Sequence, residues 1–222
     1  MAPDSDSDIA WMQAWRAGDQ RAGAKLYRRH SAAAARFFRN KAAARDLPDL
    51  LQTTFMTCFE HGERLRADAS FRAFLLGIAR NVLLRHYRDH YRKHDKIDFG
   101  VSSVVELGIS PTGLIAAQQC EQILLEALRS LAIEDQIMLE LYYWENMSGS
   151  ELAELYELPE GTLRSRLRRA RRLLGEAFAR LEHSGTGTRE PEDPRSLATW
   201  AGRVRARLAE DEQENSKKSP TE

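Results

Sequence analysis

The sequence contains little cysteine: its 222 residues include only two, Cys58 and Cys120. They are far apart and form no Cys-x-x-Cys pair, so no zinc site can be assembled from them with any spaced histidines. Two isolated cysteines of this kind are typically free thiols that pack as small buried or half-buried side chains in a reducing compartment. We therefore predict no metal site.

Signals for membranes, secretion and catalysis are also missing. The N-terminal residues MAPDSDSDIAW are acidic, with neither the basic region nor the apolar core of a signal peptide. No uncharged apolar run approaches the roughly 20 residues that a membrane span needs. We expect a cytoplasmic protein without membrane insertion. Because no glycine-rich phosphate loop, metal-ligand set or nucleophile–base pair is visible, we predict no catalytic residue, no cofactor and no enzymatic activity.

Net charge is absent overall, since 33 Lys and Arg residues balance 33 Asp and Glu residues. The distribution is uneven, however. Residues 1–94 hold 17 basic against 10 acidic residues, a net of +7, whereas residues 121–183 hold 8 against 12, a net of −4. Basic charge that is concentrated on particular segments favours a surface for a polyanion rather than a general polycation.

Helical periodicity is abundant, and strand signals are few. The pattern predicts an all-α protein with two small helical domains joined by a flexible linker, followed by a C-terminal amphipathic helix. The first domain spans 8–94, the linker 95–110, the second domain 111–183 and the C-terminal extension 184–222. The predicted helices are 8–17, 20–39, 46–60, 71–93, 111–130, 134–144, 149–156, 160–182 and 196–211.

The second domain contains a helix-turn-helix pattern. Ser148 and Glu151 have the S-x-x-E spacing of a capping box at the start of a short helix. Pro159 breaks that helix, because proline cannot continue it and restricts the preceding residue. A second helix begins at once. Two short helices with a tight break between them form the motif that places its second helix in the major groove of DNA.

The second helix of this pattern combines a leucine stripe with an arginine run, since six of the nine residues 164–172 are arginine. At 100° per residue, four apolar side chains fall within about 60° of one another. They are Leu163, Leu167, Ala170 and Leu174. Arg164, Arg168 and Arg171 form a separate stripe. Such a helix can dock through its leucines and present arginines to a DNA groove. A solvated helix, or a basic contact to an acidic protein, is the alternative.

A second basic stripe lies on the helix predicted over 71–93. Asn81, Arg85, Arg88 and Arg92 recur at i, i+4, i+7 and i+11, beside the apolar stripe rather than on it. A solvated face is the ordinary interpretation of this pattern. Three arginines, followed by two lysines, favour instead a surface that tracks the phosphates of a nucleic acid.

Three stretches resemble a known family. ENMSGSELAELYELPEGTLRSRLRRARRLL is similar to region four, the promoter-reading part, of bacterial RNA polymerase sigma factors of the two-domain extracytoplasmic-function (ECF) group. DLPDLLQTTFMTCFE resembles the part that docks on the polymerase clamp, and FRAFLLGIARNVLLRHYRDHYRK the part that reads the minus-ten element. The resemblance spans residues 8 to 182. The chain departs from the family pattern at Thr53 (for Glu), Phe59 and Phe74 (for Trp) and Ala132 (for Pro).

The resemblance implies an alternative sigma factor of the sigma-70 family that binds core RNA polymerase, at its clamp helices and flap, and directs promoter-specific transcription initiation in a stress or signal response. The implied minus-thirty-five set is Thr162, Arg164, Ser165, Arg168, Arg171 and Arg172. The implied minus-ten set is Arg80, Asn81, Arg85, Arg88 and Arg92, beside a base-holding loop at 61–70. The implied clamp set is Asp46, Asp49, Leu50, Gln52 and Phe55. On spacing alone, the two aspartates are ordinary charges at a helix N-terminus.

Two other functions fit parts of the pattern. A stand-alone helix-turn-helix regulator would bind DNA but would not need the clamp-like stretch at 46–59. An enzyme with a DNA-binding appendage would need a catalytic motif, and none is visible. We also expect the protein to be a monomer when free, with promoter DNA and an anti-sigma factor as candidate partners. The helix at 196–211 is expected to tune activity.

Overall fold

The computed structural model describes residues 5–65, 70–90, 97–108 and 119–184. Within these ranges it contains eight α-helices. They are α1 (Ser5–Arg16), α2 (Gln20–Arg39), α3 (Leu47–Glu60), α4 (Phe71–His90), α5 (Gln119–Arg129), α6 (Ile133–Tyr143), α7 (Gly149–Leu155) and α8 (Glu160–Ser184). Two 3₁₀ turns, Ala44–Asp46 and Gly62–Arg64, flank α3. The described ranges hold no strand beyond one isolated bridge, so the all-α prediction is confirmed.

The chain divides into two compact units, Met1–Lys96 and Ile97–Glu222, which we call unit 1 and unit 2. Unit 1 contains α1 to α4, and unit 2 contains α5 to α8. The helix predicted over 196–211 and the first part of the one predicted over 111–130 lie outside the described residues. Among the helices that are described, none combines the length and the apolar character that crossing a membrane requires.

Unit 1 is held together by an aromatic and aliphatic core. Its buried members are Met12, Leu26, Ala34, Phe55, Cys58, Phe71 and Leu75. Gly23 allows α1 and α2 to approach closely, because a Cβ at this position would lie 2.5 Å from Nε1 of Trp15. Cys58 is buried as predicted, and burial raises the pKa of its thiol. The side chain of Cys120 lies outside the described residues.

A buried carboxylate also ties α1 to α2. Asp8 is only 4% exposed. It accepts a hydrogen bond from Nη1 of Arg29 at 2.7 Å, and its other oxygen lies 2.8 Å from Nε2 of His30. Burial lowers the pKa of His30, and the Asp8 charge opposes that shift. A buried charge with two partners of this kind fixes the position of α1 on α2.

Unit 2 includes part of the segment that the sequence predicted as a flexible linker. The backbone oxygen of Ser102 accepts a hydrogen bond from the amide of Ile133 at 3.0 Å, and that of Phe99 accepts one from the amide of Glu134 at 3.1 Å. Val104 beside them is fully buried. These carbonyls satisfy the first free amides of α6, because the N-cap residue Ala132 has no side chain that can accept. Residues 99–104 are therefore folded onto unit 2.

Candidate nucleic-acid interface

The helix-turn-helix is built from α7 and α8. The amide of Glu151 donates to Oγ of Ser148 at 3.2 Å, and the amide of Ser148 donates to the Glu151 carboxylate at 2.8 Å. The predicted capping box is therefore confirmed. The break begins earlier than Pro159: α7 ends at Leu155, and Glu157 takes a left-handed backbone conformation with φ of 52°. Glutamate seldom adopts that conformation, so the sequence offered no signal for it.

One face of α8 docks on the rest of unit 2. Its four predicted apolar side chains are all buried: Leu163, Leu167, Ala170 and Leu174 are 1%, 5%, 0% and 2% exposed. The same stripe continues to Ala177, which is 2% exposed. The leucines therefore fix both the position and the rotation of α8, and the polar residues between them point away from the core.

The opposite face of α8 presents five of the six residues in the minus-thirty-five set. These are Thr162, Arg164, Ser165, Arg168 and Arg172, all exposed. Nη2 of Arg164 lies 3.7 Å from the Glu160 carboxylate, and Arg172 pairs with Glu176. Exposed pairs of this spacing contribute only about 0.3–0.5 kcal/mol, so a phosphate or a guanine can displace them. Arg168 has no ion pair with any described residue.

Arg171, the sixth residue of this set, faces the protein instead. Its guanidinium carbon lies 5.1 Å from the ring centre of Tyr142 and 5.4 Å from that of Tyr143, both on α6. Its Nε atom is buried. Burial raises the pKa of Tyr143, and the Arg171 charge opposes the shift. Position 171 is only about 40° from Leu167 around the helix, so its side chain reaches the edge of the docked face.

The other flank of α8 carries Arg166 and Arg169, both exposed. They influence Asp135 of α6, which is 8% exposed and has one carboxylate oxygen buried without a hydrogen bond. Burial raises the pKa of Asp135, whereas the charges of Arg169 and Arg166 lower it. The basic surface of α8 therefore extends on both sides of the exposed face and ends at this carboxylate.

A second polar surface follows α4 in unit 1. Asn81, Arg85 and Arg88 are exposed, and Arg80 is half-buried. Nη1 of Arg80 donates to Oδ1 of Asn81 at 3.3 Å. Nε of Arg85, 82% exposed, lies 3.8 Å from Asp89. The buried side of α4 is apolar, with Leu75, Ala79 and Leu83 fully enclosed. Arg92, the last residue of the minus-ten set, lies outside the described residues.

The five residues of the clamp set separate into two groups. Asp49 and Gln52 are exposed on α3, and Asp46 is half-buried in the turn before it. Leu50 and Phe55 are 4% and 6% exposed and belong to the core of unit 1. Neither side chain is therefore accessible for direct contact with the polymerase clamp. They support α3 from beneath.

The exposed side of α3 includes two residues outside the predicted set. Thr53 is exposed, and Met56 is 50% exposed. With Asp49 and Gln52 they recur at i, i+3, i+4 and i+7, and so share one side of the helix. We call these four residues the α3 stripe. An exposed methionine within a polar stripe is typical of protein-binding surfaces. Its i+7 spacing from Asp49 could have been read from the sequence.

Comparison with known families gives both units a match. Residues 24–93 match the model of Sigma-70 region 2, and residues 121–174 match that of Sigma-70, region 4. The two regions together include α2 to α4 and α5 to the middle of α8. The chain belongs to the sigma-70 family.

Curated relatives place this sigma factor in the ECF group. It is 23% identical over 176 residues to the ECF RNA polymerase sigma-E factor of Haemophilus influenzae, covering 76% of this chain and 93% of the relative. It is 25% identical over 162 residues to the protein of the same name in Escherichia coli K12, covering 69% and 85%. The solved structure of CnrH in complex with the cytosolic domain of CnrY supports the fold, with a TM-score of 0.57 and 23% identity over 79% of this chain and 99% of CnrH.

The structure shows the surroundings of three residues at which this sigma factor departs from the family pattern. The ring of Phe59 packs against that of Trp15 at a tilt of 54°, with ring centres 4.9 Å apart, and the ring centre of Phe74 lies 6.4 Å from that of Phe71. Both phenylalanines therefore contribute to packing within unit 1. Thr53, by contrast, is exposed on the α3 stripe, where it removes a negative charge that the pattern usually has. The difference at Thr53 consequently lies on the surface rather than in the core of unit 1.

Proposed function

We propose that this protein is an alternative sigma factor that binds core RNA polymerase and directs promoter-specific initiation of transcription. The observation that carries the proposal is the presence of both sigma regions in order, each on its own folded unit. A stand-alone regulator would not need the α3 stripe. The sigma factor itself makes and breaks no covalent bond, because the polymerase supplies catalysis. It acts in the cytoplasm and is a monomer when free.

Unit 2 reads the minus-thirty-five element through α8. The buried leucines hold the helix so that its exposed arginines can enter the major groove. Arginine can bind the O6 and N7 atoms of guanine with two hydrogen bonds, and serine or threonine can reach a base or a phosphate. Arg164 and Arg168 are the proposed base readers. Arg172 is assigned to the phosphate backbone, and Arg171 to positioning α8 on α6.

Unit 1 reads the minus-ten element through α4. The surface of Asn81, Arg85 and Arg88 offers a cationic track for phosphates, and the half-buried Arg80 orients Asn81. The loop 61–70 precedes α4 and is proposed to hold an unstacked base of the melted strand. Stacking on protein groups is the usual means of holding such a base.

The α3 stripe docks the sigma factor on the polymerase clamp helices, and unit 2 contacts the flap. Asp49 and Gln52 supply the polar contacts, while Met56 supplies the apolar area. Holding both units on one polymerase raises the effective concentration of each at its DNA element. This matters because residues 121–183 have a net charge of −4, from 8 basic and 12 acidic residues, which weakens binding to free DNA.

Regulation by an anti-sigma factor is part of the proposal. CnrH has been solved with the cytosolic domain of CnrY bound. An anti-sigma factor would compete for the surfaces that bind polymerase. The C-terminal extension 184–222 is proposed to tune activity together with it or in its place.

Run-off transcription tests the proposed function. Core bacterial polymerase is combined with a library of promoter fragments, with and without the protein. New discrete starts are expected, and they should vanish when Arg164 and Arg168 become alanine. The matched control is Arg180→Ala, on an exposed residue of the same helix outside the site sets. Failure to bind polymerase, together with footprinting of DNA by the protein alone, would favour a stand-alone regulator.

A further inference from the structure

A stripe of cations on α2 is used by none of the surfaces described above. The sequence of α2, QRAGAKLYRRHSAAAARFFR, holds six basic residues and no acidic one. Three of them, Arg21, Lys25 and Arg28, recur at i, i+4 and i+7 and are exposed. We call them the α2 stripe. A helix of 20 residues with this composition is unusual for a merely solvated face, because such faces normally mix both signs of charge.

Several carboxylates of α1, of the turn before α2 and of the turn after α3 already have other partners. Asp8 is bound by α2 itself through Arg29 and His30. Asp19 accepts hydrogen bonds from the amides of Arg21 and Ala22 in the first turn of α2, at 2.9 and 3.3 Å. Glu63 lies 3.4 Å from Arg16. Within the described ranges, no carboxylate forms an ion pair with a member of the stripe. The three cations are therefore not engaged by a carboxylate of the described residues and can pair with an external anion.

An indole ring supports the middle of the stripe. Nζ of Lys25 lies 5.3 Å from the ring centre of Trp11, and the guanidinium carbon of Arg29 lies 4.2 Å from it. Cations are attracted to the face of an indole. Lys25 is consequently held beside α1 before any partner arrives, which lowers the conformational entropy lost when an anion binds.

The position of the stripe follows from the contacts between helices. The ring of His30 lies 4.9 Å from that of Phe71 at the start of α4, and Tyr87 near the end of α4 donates a hydrogen bond to the oxygen of Lys41 just after α2. The two helices therefore run parallel, and the first turns of α2 project beyond the start of α4. Gly62, just after α3, packs against α1 at this same end.

We propose that the α2 stripe binds the phosphate backbone of a single DNA strand adjacent to the minus-ten element, without regard to base sequence. The inference rests on the proposed sigma function, which brings a partly melted strand to the end of unit 1 where the chain passes from α3 to α4. The three cations cover about 10 Å along the helix, at 1.5 Å per residue. Point charges spaced along a strand neutralise phosphates and release counterions, which gives affinity without base readout.

A charge-neutral variant, with Arg21→Gln, Lys25→Gln and Arg28→Gln together, tests the inference. The matched control changes the same positions but keeps the charge, with Arg21→Lys, Lys25→Arg and Arg28→Lys. Each protein is assembled with core polymerase, and its binding to fork-shaped promoter DNA with an unpaired minus-ten strand is measured at several KCl concentrations. The neutral variant should have a slope of log affinity against log salt that is less steep by about 2, since each phosphate on a single strand contributes about 0.7. The control should keep the wild-type slope.

Three other results overturn the inference. An unchanged slope in the neutral variant means that the stripe is only solvated. A lower affinity for core polymerase with an unchanged slope means that the stripe binds an acidic protein surface. A change of slope that persists when the unpaired strand is removed from the DNA means that the contact is to duplex. If the wild-type protein forms no holoenzyme, the proposed function itself fails, and that is seen before any variant is compared.

Discussion

The Nε2 atom of His86 lies 3.6 Å from the Oδ2 atom of Asp46, which links α4 to the turn before α3. The side chain of His86 is only 14% exposed. Burial lowers the pKa of His86, and so does His90, whose ring centre is 4.1 Å away. The charges of Asp46 and Asp89 oppose the shift but do not reverse it. The folded protein therefore favours the neutral imidazole at this junction between α4 and the turn that leads into α3.

The protein should lose stability as the pH falls from 7 towards 5. An unfolded histidine takes up a proton near pH 6.5, whereas folded His86 and His30 have lowered pKa values and take it up at lower pH. At a pH between the folded and the unfolded pKa of a histidine, the unfolded state binds more protons than the folded state. The free energy of unfolding is therefore at its full value above about pH 6.5 and declines below it. Urea unfolding followed by circular dichroism at several pH values measures this. His86→Gln should flatten the dependence, and a wild-type midpoint that does not move with pH would contradict the argument.

Two valines three residues apart should respond differently to truncation. Val104 is 0% exposed and lies beside the carbonyls that cap α6, whereas Val101 is 72% exposed. Val104→Ala should destabilise the protein by about 2 kcal/mol, the value of two buried methyl groups. Val101→Ala should change stability by no more than about 0.5 kcal/mol. Equal losses in the two variants, measured by urea unfolding, would mean that residues 99–104 are not packed on unit 2 in solution.

Arg168 and Arg171 should separate DNA reading from packing. Arg168→Ala should reduce discrimination between promoters at one base pair by about 1–3 kcal/mol and leave unfolding unchanged. Arg171→Ala should cost about 1 kcal/mol of stability through its lost contact with two tyrosine rings, and base preference should stay the same. Competition between minus-thirty-five sequences, measured with holoenzyme, gives the first quantity, and urea unfolding gives the second. Loss of base preference in Arg171→Ala, at unchanged stability, would return that residue to the DNA-binding set.

The sequence predicted the direction of side chains on α8 better than it predicted their partners. The burial of Leu163 and Leu167 depends only on the helical period, which is local. The position of Arg171 depends on two tyrosines of another helix, and no period contains that information. The sequence did not predict that residues 99–104 pack on unit 2, for a related reason. Backbone carbonyls of this segment cap α6, and because every residue has a carbonyl, no residue type signals that contact. Leu50 and Phe55 belong to a family motif in which residues that support the fold stand beside residues that can bind a partner.

Met56, exposed on α3, and Leu50, buried beneath the same helix, test the α3 stripe. Met56→Ala removes a side chain that is 50% exposed, so stability should hold. Affinity for core polymerase should fall by about 1–2 kcal/mol, because Met56 supplies apolar area to the proposed interface. Leu50→Ala opens a cavity beneath the same helix and should cost about 2–5 kcal/mol of stability. At a temperature where Leu50→Ala stays folded, its polymerase affinity should remain near the wild-type value, because its side chain does not reach the surface. Titration of labelled core polymerase against each variant, with circular dichroism to confirm folding, distinguishes the two roles. If folded Leu50→Ala binds more weakly than Met56→Ala, docking must rearrange α3 to expose its buried side, and the contact surface is not the α3 stripe.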